Sequence, residues 1–198
     1  MFTGIIAGRG VFRGYRRGRT ALLVEAPALA ADLSPGDSLA VDGVCLTVAA
    51  KERAGVLFDL SRETLERTTL GALGPGAVLN LEPALTLQTP LGGHLVSGHV
   101  DAVGRVLRAS ARPPGKRLAV AFPAALRPYL VPKGSVAVSG VSLTVAALGP
   151  SSFEAELVPL TLEATNLGLL RAGSNVNLEC DMIGKYVYNQ LSQVRKTG

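Results

Sequence analysis

Apolar and polar positions along this chain form short runs that end in turns, a pattern typical of β-rich proteins. The runs Ser38–Val41 and Val44–Ala50 are rich in β-branched and small apolar residues, and Asp42-Gly43 separates them. An Asp-Gly pair between two such runs predicts a tight β-hairpin. Further runs that predict strands are Phe2–Phe12, Thr20–Glu25, Val56–Leu60 and Ala77–Leu81.

Two segments predict helices. Arg62–Leu73 predicts a short helix, since Gly-Pro-Gly follows it as a stop signal. Between residues 182 and 196, apolar positions recur every three or four residues, which indicates one face of a helix. A helix of about four turns is too short to be stable alone. Its narrow apolar stripe favours packing against copies of itself, and its members are Ile183, Tyr186, Val187, Leu191 and Val194.

The sequence contains an internal repeat. Ser38–Ala50 recurs as Ser135–Ala147, 97 positions later. The two copies differ at Leu39/Val136, Asp42/Ser139 and Cys45/Ser142. A period of this length is the size of a small domain and too long for a solenoid unit. The sequence therefore predicts an all-β fold of two homologous barrels, over residues 1–94 and 95–182, followed by an α-helix over residues 183–198.

Composition and charge restrict the possible partners. The chain has 198 residues, of which 47% are hydrophobic and 18% charged, as in globular proteins. A net charge of +5 leaves nucleic acid or an anionic ligand open. The densest basic run, Arg13–Arg19, lies between two predicted strands, which favours a solvated hairpin tip. No aromatic ladder accompanies it, which argues against a binder of single-stranded nucleic acid.

The cysteines and the N-terminal residues indicate a cellular compartment. Cys45 and Cys180 are too few for a disulfide framework. The first ten residues lack the basic and apolar regions of a signal peptide, and no apolar stretch reaches membrane-spanning length. These features predict a cytoplasmic protein with reduced thiols and no membrane partner.

Four motifs together resemble those of the riboflavin synthase family. They are Met1–Ile6 (MFTGII), Asp42–Val48 (DGVCLTV), Gly92–Asp101 (GGHLVSGHVD) and Gly140–Val145 (GVSLTV). The resemblance spans both halves of the chain. It implies that each half is a six-stranded Greek-key barrel and that C-terminal helices hold the protein together as a homotrimer.

The resemblance also implies an activity. Two molecules of 6,7-dimethyl-8-ribityllumazine would dismutate by transfer of a four-carbon unit, giving riboflavin and 5-amino-6-ribitylamino-uracil. This transferase reaction would need no metal and no organic cofactor. The active site would lie between the N-terminal barrel of one subunit and the C-terminal barrel of its neighbour. Lumazine synthase is a further candidate partner.

The Cys45/Ser142 difference suits such a reaction. Two identical substrates need two similar pockets, and their different roles need the pockets to differ where the chemistry is decided. A thiol is more nucleophilic and more easily ionised than a hydroxyl. Cys45 is therefore the candidate for addition to a ring or for proton transfer, with a buried apolar cysteine as the structural alternative.

The resemblance assigns further roles. His99 supports proton transfer or hydrogen bonding, whereas His94 is structural. Asp181 both caps the last helix and faces the ligand. The full catalytic set is Cys45, His99, Ser142, Thr144 and Asp181. The substrate-binding set is Gly4, Ile5, Ile6, Leu46, Thr47, Asp59, Leu60, Ser61, Arg62, Glu63, Thr64, Gly98, Val100, Lys133, Leu143, Val158, Pro159, Leu160, Thr161, Leu162 and Glu163.

Three alternatives remain open. A carrier that binds lumazine or flavin without turning it over would share the fold, and Leu160, where the family pattern leads us to expect Glu, favours it. A basic barrel that binds nucleic acid would explain the charge but neither the repeat nor the Cys45/Ser142 difference. A purely structural double barrel would explain only the repeat.

Overall fold

The first repeat folds into a closed six-stranded antiparallel barrel in the computed structural model, which describes residues 1–197 and side chains as far as residue 194. Its strands are β1 (Gly8–Arg16), β2 (Ala21–Glu25), β3 (Ser38–Val41), β4 (Val44–Glu52), β5 (Gly55–Asp59) and β6 (Val78–Pro83). The order around the barrel is β1-β2-β5-β4-β3-β6. Because β6 returns beside β3 after three hairpin-connected strands, β3 to β6 form a Greek key.

The second repeat forms a related curled sheet. Its strands are β7 (Ala102–Arg112), β8 (Gly115–Ala121), β9 (Ser135–Val138), β10 (Val141–Thr144), β11 (Ala147–Leu148), β12 (Ser152–Leu157) and β13 (Asn175–Cys180). The sheet order is β10-β9-β13-β7-β8-β12-β11. The two terminal strands, β10 and β11, are halves of one interrupted strand, joined through Val145 and Ala146. The predicted two-barrel fold is confirmed, with seven strands instead of six in this repeat.

The interruption has a counterpart in the first barrel. There, β4 shifts its register against β5 between Val48 and Ala50. In the second repeat, Val145 N–H bonds to Gly134 O at 2.9 Å, and Ala146 N–H turns to Glu154 O at 2.7 Å. Both barrels therefore bend at the same place, and the bend divides the strand only in the second.

Each barrel has its own apolar core, built mainly from aliphatic side chains. Phe58 and Leu79 are fully buried in the first core, and Leu118 and Phe153 are buried in the second. Alternation along the strands sends these residues inward. Few aromatic side chains take part, and leucine and valine fill most of both cores.

The two barrels meet along an approximate two-fold relation. Phe2 and Val96, which occupy equivalent places in the repeats, form an antiparallel bridge with N–H to O distances of 2.8 and 3.1 Å. Their side chains share a small buried cluster with Ala40 and Ala137, a second equivalent pair. The segment that begins each repeat therefore lies between the barrels, and the predicted boundary at residues 94 and 95 stays a prediction.

Glycine is required at the repeated hairpin turn. Gly43 and Gly140 have φ angles of +77° and +82°, which non-glycine residues rarely adopt. They also pack against each other, so that a Cβ on Gly43 would lie 2.6 Å from the backbone nitrogen of Gly140. The repeated glycine therefore shapes the turn and allows the barrels to approach.

Buried amides hold this junction together. Asn80 donates to Ser139 O and Asn177 donates to Asp42 O, both at 2.9 Å. Asn166 breaks the symmetry, because its amide donates to the Asp42 carboxylate at 2.9 Å. Burial raises the pKa of Asp42 to about 7. The hydrogen bonds from Asn80 N–H and Asn166 lower this pKa, but by less than burial raises it.

Three α-helices flank the sheets: α1 (Arg62–Arg67), α2 (Pro159–Ala164) and α3 (Met182–Thr197). The helix predicted over Arg62–Leu73 is wrong in its length. Thr68 is extended, with φ −126° and ψ 167°, and caps a separate 3-10 turn at Thr69–Ala72. None of the helices in the described part of the chain is long and apolar enough to span a bilayer.

Helix α3 carries the predicted apolar stripe. Tyr188 touches Tyr129 with ring centroids 5.4 Å apart, on the side that faces the second barrel. The last residue of the predicted helix, Gly198, lies outside the described residues. The stripe side chains are exposed in the single chain: Ile183, Tyr186, Val187, Leu191 and Val194.

Candidate active site

A cavity of about 470 Å³ lies beside β4 of the first barrel. It is bounded by β4, by α1 and by the segment that precedes β7, so both repeats contribute to its wall. We call it the first cavity. Its lining residues are Val44, Cys45, Ser61, Glu63, Thr64, Arg67, Thr68, Gly98, His99, Val100 and Asp101.

Cys45 is held in the wall of the first cavity by the start of the second repeat. Its backbone N–H donates to Gly98 O at 2.8 Å. Gly98 has a φ of +83°, and a Cβ there would lie 2.6 Å from the Cβ of Cys45. The half-buried thiol makes no hydrogen bond among the described residues.

Two carboxylates anchor the segments that begin the repeats. Glu179 accepts from Ser97 N–H and Oγ at 2.6 and 2.7 Å and from Gly98 N–H at 3.0 Å. Glu82 accepts from Thr3 and Gly4 in the same way. Burial raises the pKa of both carboxyls, although these hydrogen bonds act in the opposite direction. The anchors fix where the neighbouring backbone lies against each cavity.

A second cavity, of about 390 Å³, lies at the equivalent place beside β10. Ser142 takes the place of Cys45, and its backbone N–H donates to Gly4 O at 2.8 Å. Ser142 and Thr144 lie two residues apart on β10 and so share one face of the strand. The second cavity is lined by Lys133, Ser142, Leu143, Thr144, Ala146, Glu156, Val158 and Thr161.

His94 lies behind Ser142, outside the lining of the second cavity. Its Nδ1 lies 2.7 Å from Ser142 Oγ. His94 is only 7% exposed, and burial lowers its pKa, with the Asp181 charge acting in the opposite direction. The structural role predicted for His94 did not include this contact, which joins residues 48 positions apart and leaves no local pattern in the sequence.

The two cysteines differ in reactivity. Burial, reinforced by the nearby Asp101, raises the pKa of the Cys180 thiol to about 12. The thiolate is the reactive form of cysteine, so Cys180 is inert at neutral pH. Cys45, which lines a cavity, is therefore the candidate nucleophile of the chain.

Comparison with known proteins identifies the family. The Lumazine binding domain model matches residues 3–84 and 97–181. The riboflavin synthase of Mycobacterium tuberculosis (strain ATCC 25618 / H37Rv) is 43% identical over 193 residues, which are 94% of this chain and 96% of that protein. This chain belongs to the riboflavin synthase family. The riboflavin synthase of Bacillus subtilis (strain 168) is 36% identical over 99% of this chain and 92% of its own.

Solved structures support the same fold. The structure of LumP complexed with riboflavin matches with a TM-score of 0.83 at 23% identity, covering 91% of this chain and 99% of that one. LumP complexed with 6,7-dimethyl-8-(1'-D-ribityl) lumazine matches with a TM-score of 0.80, also at 23% identity, over 90% of this chain and 98% of that one. At this identity the likeness bears on the fold alone.

The cavities bring together many residues that the riboflavin synthase resemblance singled out. The first contains Cys45 and His99 of the catalytic set, and the second contains Ser142 and Thr144. Asp181 lines neither: its carboxylate accepts from Ile183 N–H at 3.0 Å and caps α3 as expected. The predicted binding residues that line a cavity are Ser61, Glu63, Thr64, Gly98, Val100, Lys133, Leu143, Val158 and Thr161.

The other predicted binding residues line neither cavity, for several reasons. Leu46 and Leu60 pack into the first core. Asp59 pairs with Arg17 at 3.1 Å, and Arg62 pairs with Glu66 at 2.7 Å. The remaining ones are Gly4, Ile5, Ile6, Thr47, Pro159, Leu160, Leu162 and Glu163.

The structure adds polar residues that the predicted site did not include. Arg67 follows Glu63 and Thr64 at helical spacing, so all three share a face of α1. Asp101 closes the first cavity and is paired with Lys185 of α3 at 2.7 Å. Helical periodicity predicts the first of these, whereas the second depends on a contact across the fold.

The helices at the two cavities differ in polarity. Glu63 and Arg67 on α1 have Leu160 and Ala164 as their counterparts on α2. Leu160 is 72% exposed in the single chain. The helix beside the first cavity therefore turns charged side chains toward it, whereas the apolar counterparts on α2 lie outside the lining of the second cavity. Among the described residues, no group of His, Cys, Asp or Glu side chains is arranged to hold a metal ion.

Proposed function

We propose that this chain catalyses the riboflavin synthase reaction: two molecules of 6,7-dimethyl-8-ribityllumazine give riboflavin and 5-amino-6-ribitylamino-uracil. One observation carries the proposal. Equivalent cavities in the two repeats present a thiol in one and a hydroxyl in the other, on otherwise matching strands. Such a pair suits two identical substrates that react in different roles.

Catalysis rests first on positioning. Each cavity holds one ring, and two rings held face to face avoid the entropic cost of a bimolecular encounter. The methyl group on C7 of the lumazine is acidic, because its anion delocalises into the ring, so a weak base removes its proton. Hydroxyls and Lys133 in the second cavity provide donors for the ring and the ribityl chain.

Cys45 prepares the other substrate. Its thiol faces the first cavity beside His99, which is exposed there. We assign Cys45 the addition to the ring or the transfer of a proton, and His99 the supporting proton or hydrogen bond. The same proposal includes the boundary between the two barrel domains at residues 94 and 95. It also includes a role for the Asp181 carboxylate at the ligand.

The active site is assembled between subunits of a homotrimer. The linings of the two cavities have no residue in common, so one chain offers two separate half-sites. The exposed apolar stripe of α3 supports the association. We place the protein in the cytoplasm, where its thiols stay reduced; lumazine synthase as a partner stays a prediction.

Two other functions explain less. A non-catalytic carrier fits the apolar Leu160, but it gives no reason for the Cys45/Ser142 difference. A nucleic-acid binder needs a free basic surface. Arg17 is paired with Asp59, and Arg19 lies over the Tyr15 ring at 4.1 Å, so the arginine hairpin tip folds back on its own barrel.

The experiment is a turnover assay with 6,7-dimethyl-8-ribityllumazine as the sole addition. We expect riboflavin to form, followed by its absorbance and emission. Cys45→Ser, which gives both repeats a serine, should lower kcat by about a hundredfold or more, as loss of a proton-transfer group or nucleophile does. Cys180→Ala is the matched control, and we expect it to retain turnover. Tight binding of the substrate without conversion by the unaltered protein would support the carrier instead.

A further inference from the structure

The hydroxyl of Ser142 is closely enclosed on one side. The backbone of Gly93 passes so near that a Cβ there would lie 2.9 Å from Ser142 Oγ. His94 N–H donates to Thr3 O at 3.1 Å, which fixes the same backbone. His94 Nδ1 then reaches Ser142 Oγ at 2.7 Å. The imidazole and the hydroxyl therefore form a rigid pair.

The other ring nitrogen decides how this pair is protonated. His94 Nε2 is buried and has no hydrogen-bond partner among the described residues. A neutral imidazole carries one N–H, on either nitrogen. If the proton were on Nε2, a buried N–H would be left without an acceptor, which is rare in proteins. With the proton on Nδ1, the N–H is donated to Ser142 Oγ and only a lone pair stays unpaired.

We propose that His94 is a positioning residue that donates Nδ1–H to Ser142 and so turns the Ser142 hydroxyl into a hydrogen-bond donor toward the second cavity. The proposal rests on the proposed function, since it names the role of this hydroxyl in the lumazine site. The ligand class is a ring with acceptor oxygens and nitrogens. A donor at such an atom stabilises the negative charge that develops when the C7 methyl loses its proton.

The arrangement argues against the opposite role. In a Ser–His pair that activates a nucleophile, the histidine accepts the serine proton and its other nitrogen is oriented by a third group. His94 lacks such a group at Nε2 among the described residues. Ser142 is therefore a directed donor and not an activated nucleophile.

The pair also distinguishes the two cavities beyond the Cys45/Ser142 difference. The Cys45 thiol lines the first cavity and has no hydrogen bond among the described residues, so no neighbouring group fixes its orientation. The hydroxyl of Ser142 is fixed by His94. One cavity thus carries a free reactive group, and the other carries an oriented donor.

The protonation state is tested directly by long-range ¹H–¹⁵N correlation spectra of protein labelled with [¹⁵N]histidine. The chain has only two histidines, so a His99→Gln variant assigns the signals of His94. We expect the pattern of a neutral ring with the proton on Nδ1. A proton on Nε2, or a doubly protonated ring at neutral pH, would overturn the proposal. This measurement needs no turnover, so it is independent of whether the proposed function is correct.

A double-mutant cycle tests the coupling. His94→Phe keeps a planar ring without the hydrogen bond, and Ser142→Ala removes the hydroxyl. We expect each to lower kcat by about tenfold, the worth of one buried hydrogen bond. The double variant should be no slower than the slower single one, because His94 acts through Ser142. His94→Asn, whose amide nitrogen lies near the position of Nδ1, should restore part of the rate.

A structural role for His94 predicts a different outcome. His94→Phe would then lower stability and kcat even where Ser142 is already Ala, so the two effects would multiply, and His94→Asn would not rescue the rate. Riboflavin titrations check that both cavities still bind in each variant. If the unaltered protein shows no turnover, the same cycle on lumazine affinity tests the Ser142 donor while the enzyme proposal fails separately.

Discussion

Asp42 is the residue that most clearly separates the two copies at the barrel junction. Its carboxylate accepts from Asn80 N–H at 2.8 Å and from Asn166 at 2.9 Å, whereas the second repeat has Ser139 at this place. Both residues have positive φ, 47° and 44°. The position thus imposes a backbone shape in both repeats, and only the first copy adds a buried titratable group.

Burial of Asp42 makes the stability depend on pH. Its folded pKa is raised from 3.8 to about 7, so between these values the folded chain binds a proton that the unfolded chain has lost. The free energy of unfolding therefore falls as pH rises through this window and stays lower above it. Between pH 5 and 8 the Asp42 contribution should fall by about 2–3 kcal/mol.

The Asp42→Asn variant isolates this contribution, because asparagine tolerates positive φ and keeps an acceptor oxygen. We measure the free energy of unfolding of both proteins with urea from pH 5 to 8. As pH rises, we expect the value for the variant to increase relative to the value for the unaltered protein. Asp32→Asn, at an exposed carboxylate, is the control and should run parallel to the unaltered protein. If the difference in unfolding free energy between Asp42→Asn and the unaltered protein stayed constant from pH 5 to 8, Asp42 would already be ionised in the folded chain.

At the scale of elements, local signals were predictable and long-range contacts were not. Asp42-Gly43 identified the β3–β4 hairpin, since the turn depends only on neighbouring residues. The split of the strand at Val145 and Ala146 was not predictable, because it depends on a bond to Glu154 in β12. The Ser142–His94 contact was not predictable for the same reason, because it joins β10 to a residue 48 positions earlier in the chain.

For the candidate site, too, local residues were predictable and their long-range surroundings were not. The repeat alone indicated Cys45 and Ser142 as equivalent positions with different chemistry. Which hydroxyls and helices surround them depends on the barrel closure and on the crossing of Gly4 and Gly98 to the opposite repeat. Leu46 and Leu60 illustrate the limit: next to a motif in sequence, they face the core instead of a cavity.

Helix α3 carries a prediction about assembly. Val187 and Leu191 are 53% and 55% exposed in the single chain, so changing both to serine should hardly affect the stability of one chain. If other copies cover them, each change removes about 1.5–3 kcal/mol from the interface. We expect the double variant to dissociate in sedimentation measurements over a range of concentrations.

Leu87→Ser is the control for this prediction. Leu87 is fully exposed, but it lies in the segment between the barrels and not on α3. We expect this variant to sediment like the unaltered protein. If the α3 double variant associates as strongly as the unaltered protein, another surface holds the subunits together.

At the scale of the whole molecule, we propose that the first cavity of one copy meets the second cavity of another copy, and that the two do not meet within one copy. Their linings are separate, and each contains part of the needed chemistry. In this proposal the duplication supplies two places for the same ligand, and assembly brings a first and a second cavity together. Loss of either half in every subunit should therefore abolish turnover.

Subunit mixing tests this central claim most directly. Chains carrying Cys45→Ser disable the first cavity, and chains carrying Thr144→Trp fill the second. Each variant alone should form riboflavin slowly or not at all. Co-assembled in equal amounts, they should regain about a quarter of the sites, since an intact first cavity then meets an intact second one by chance. Recovery of turnover in the mixture, with none in either variant taken through the same procedure, is the predicted result; a mixture as inactive as its components would contradict a site shared between subunits.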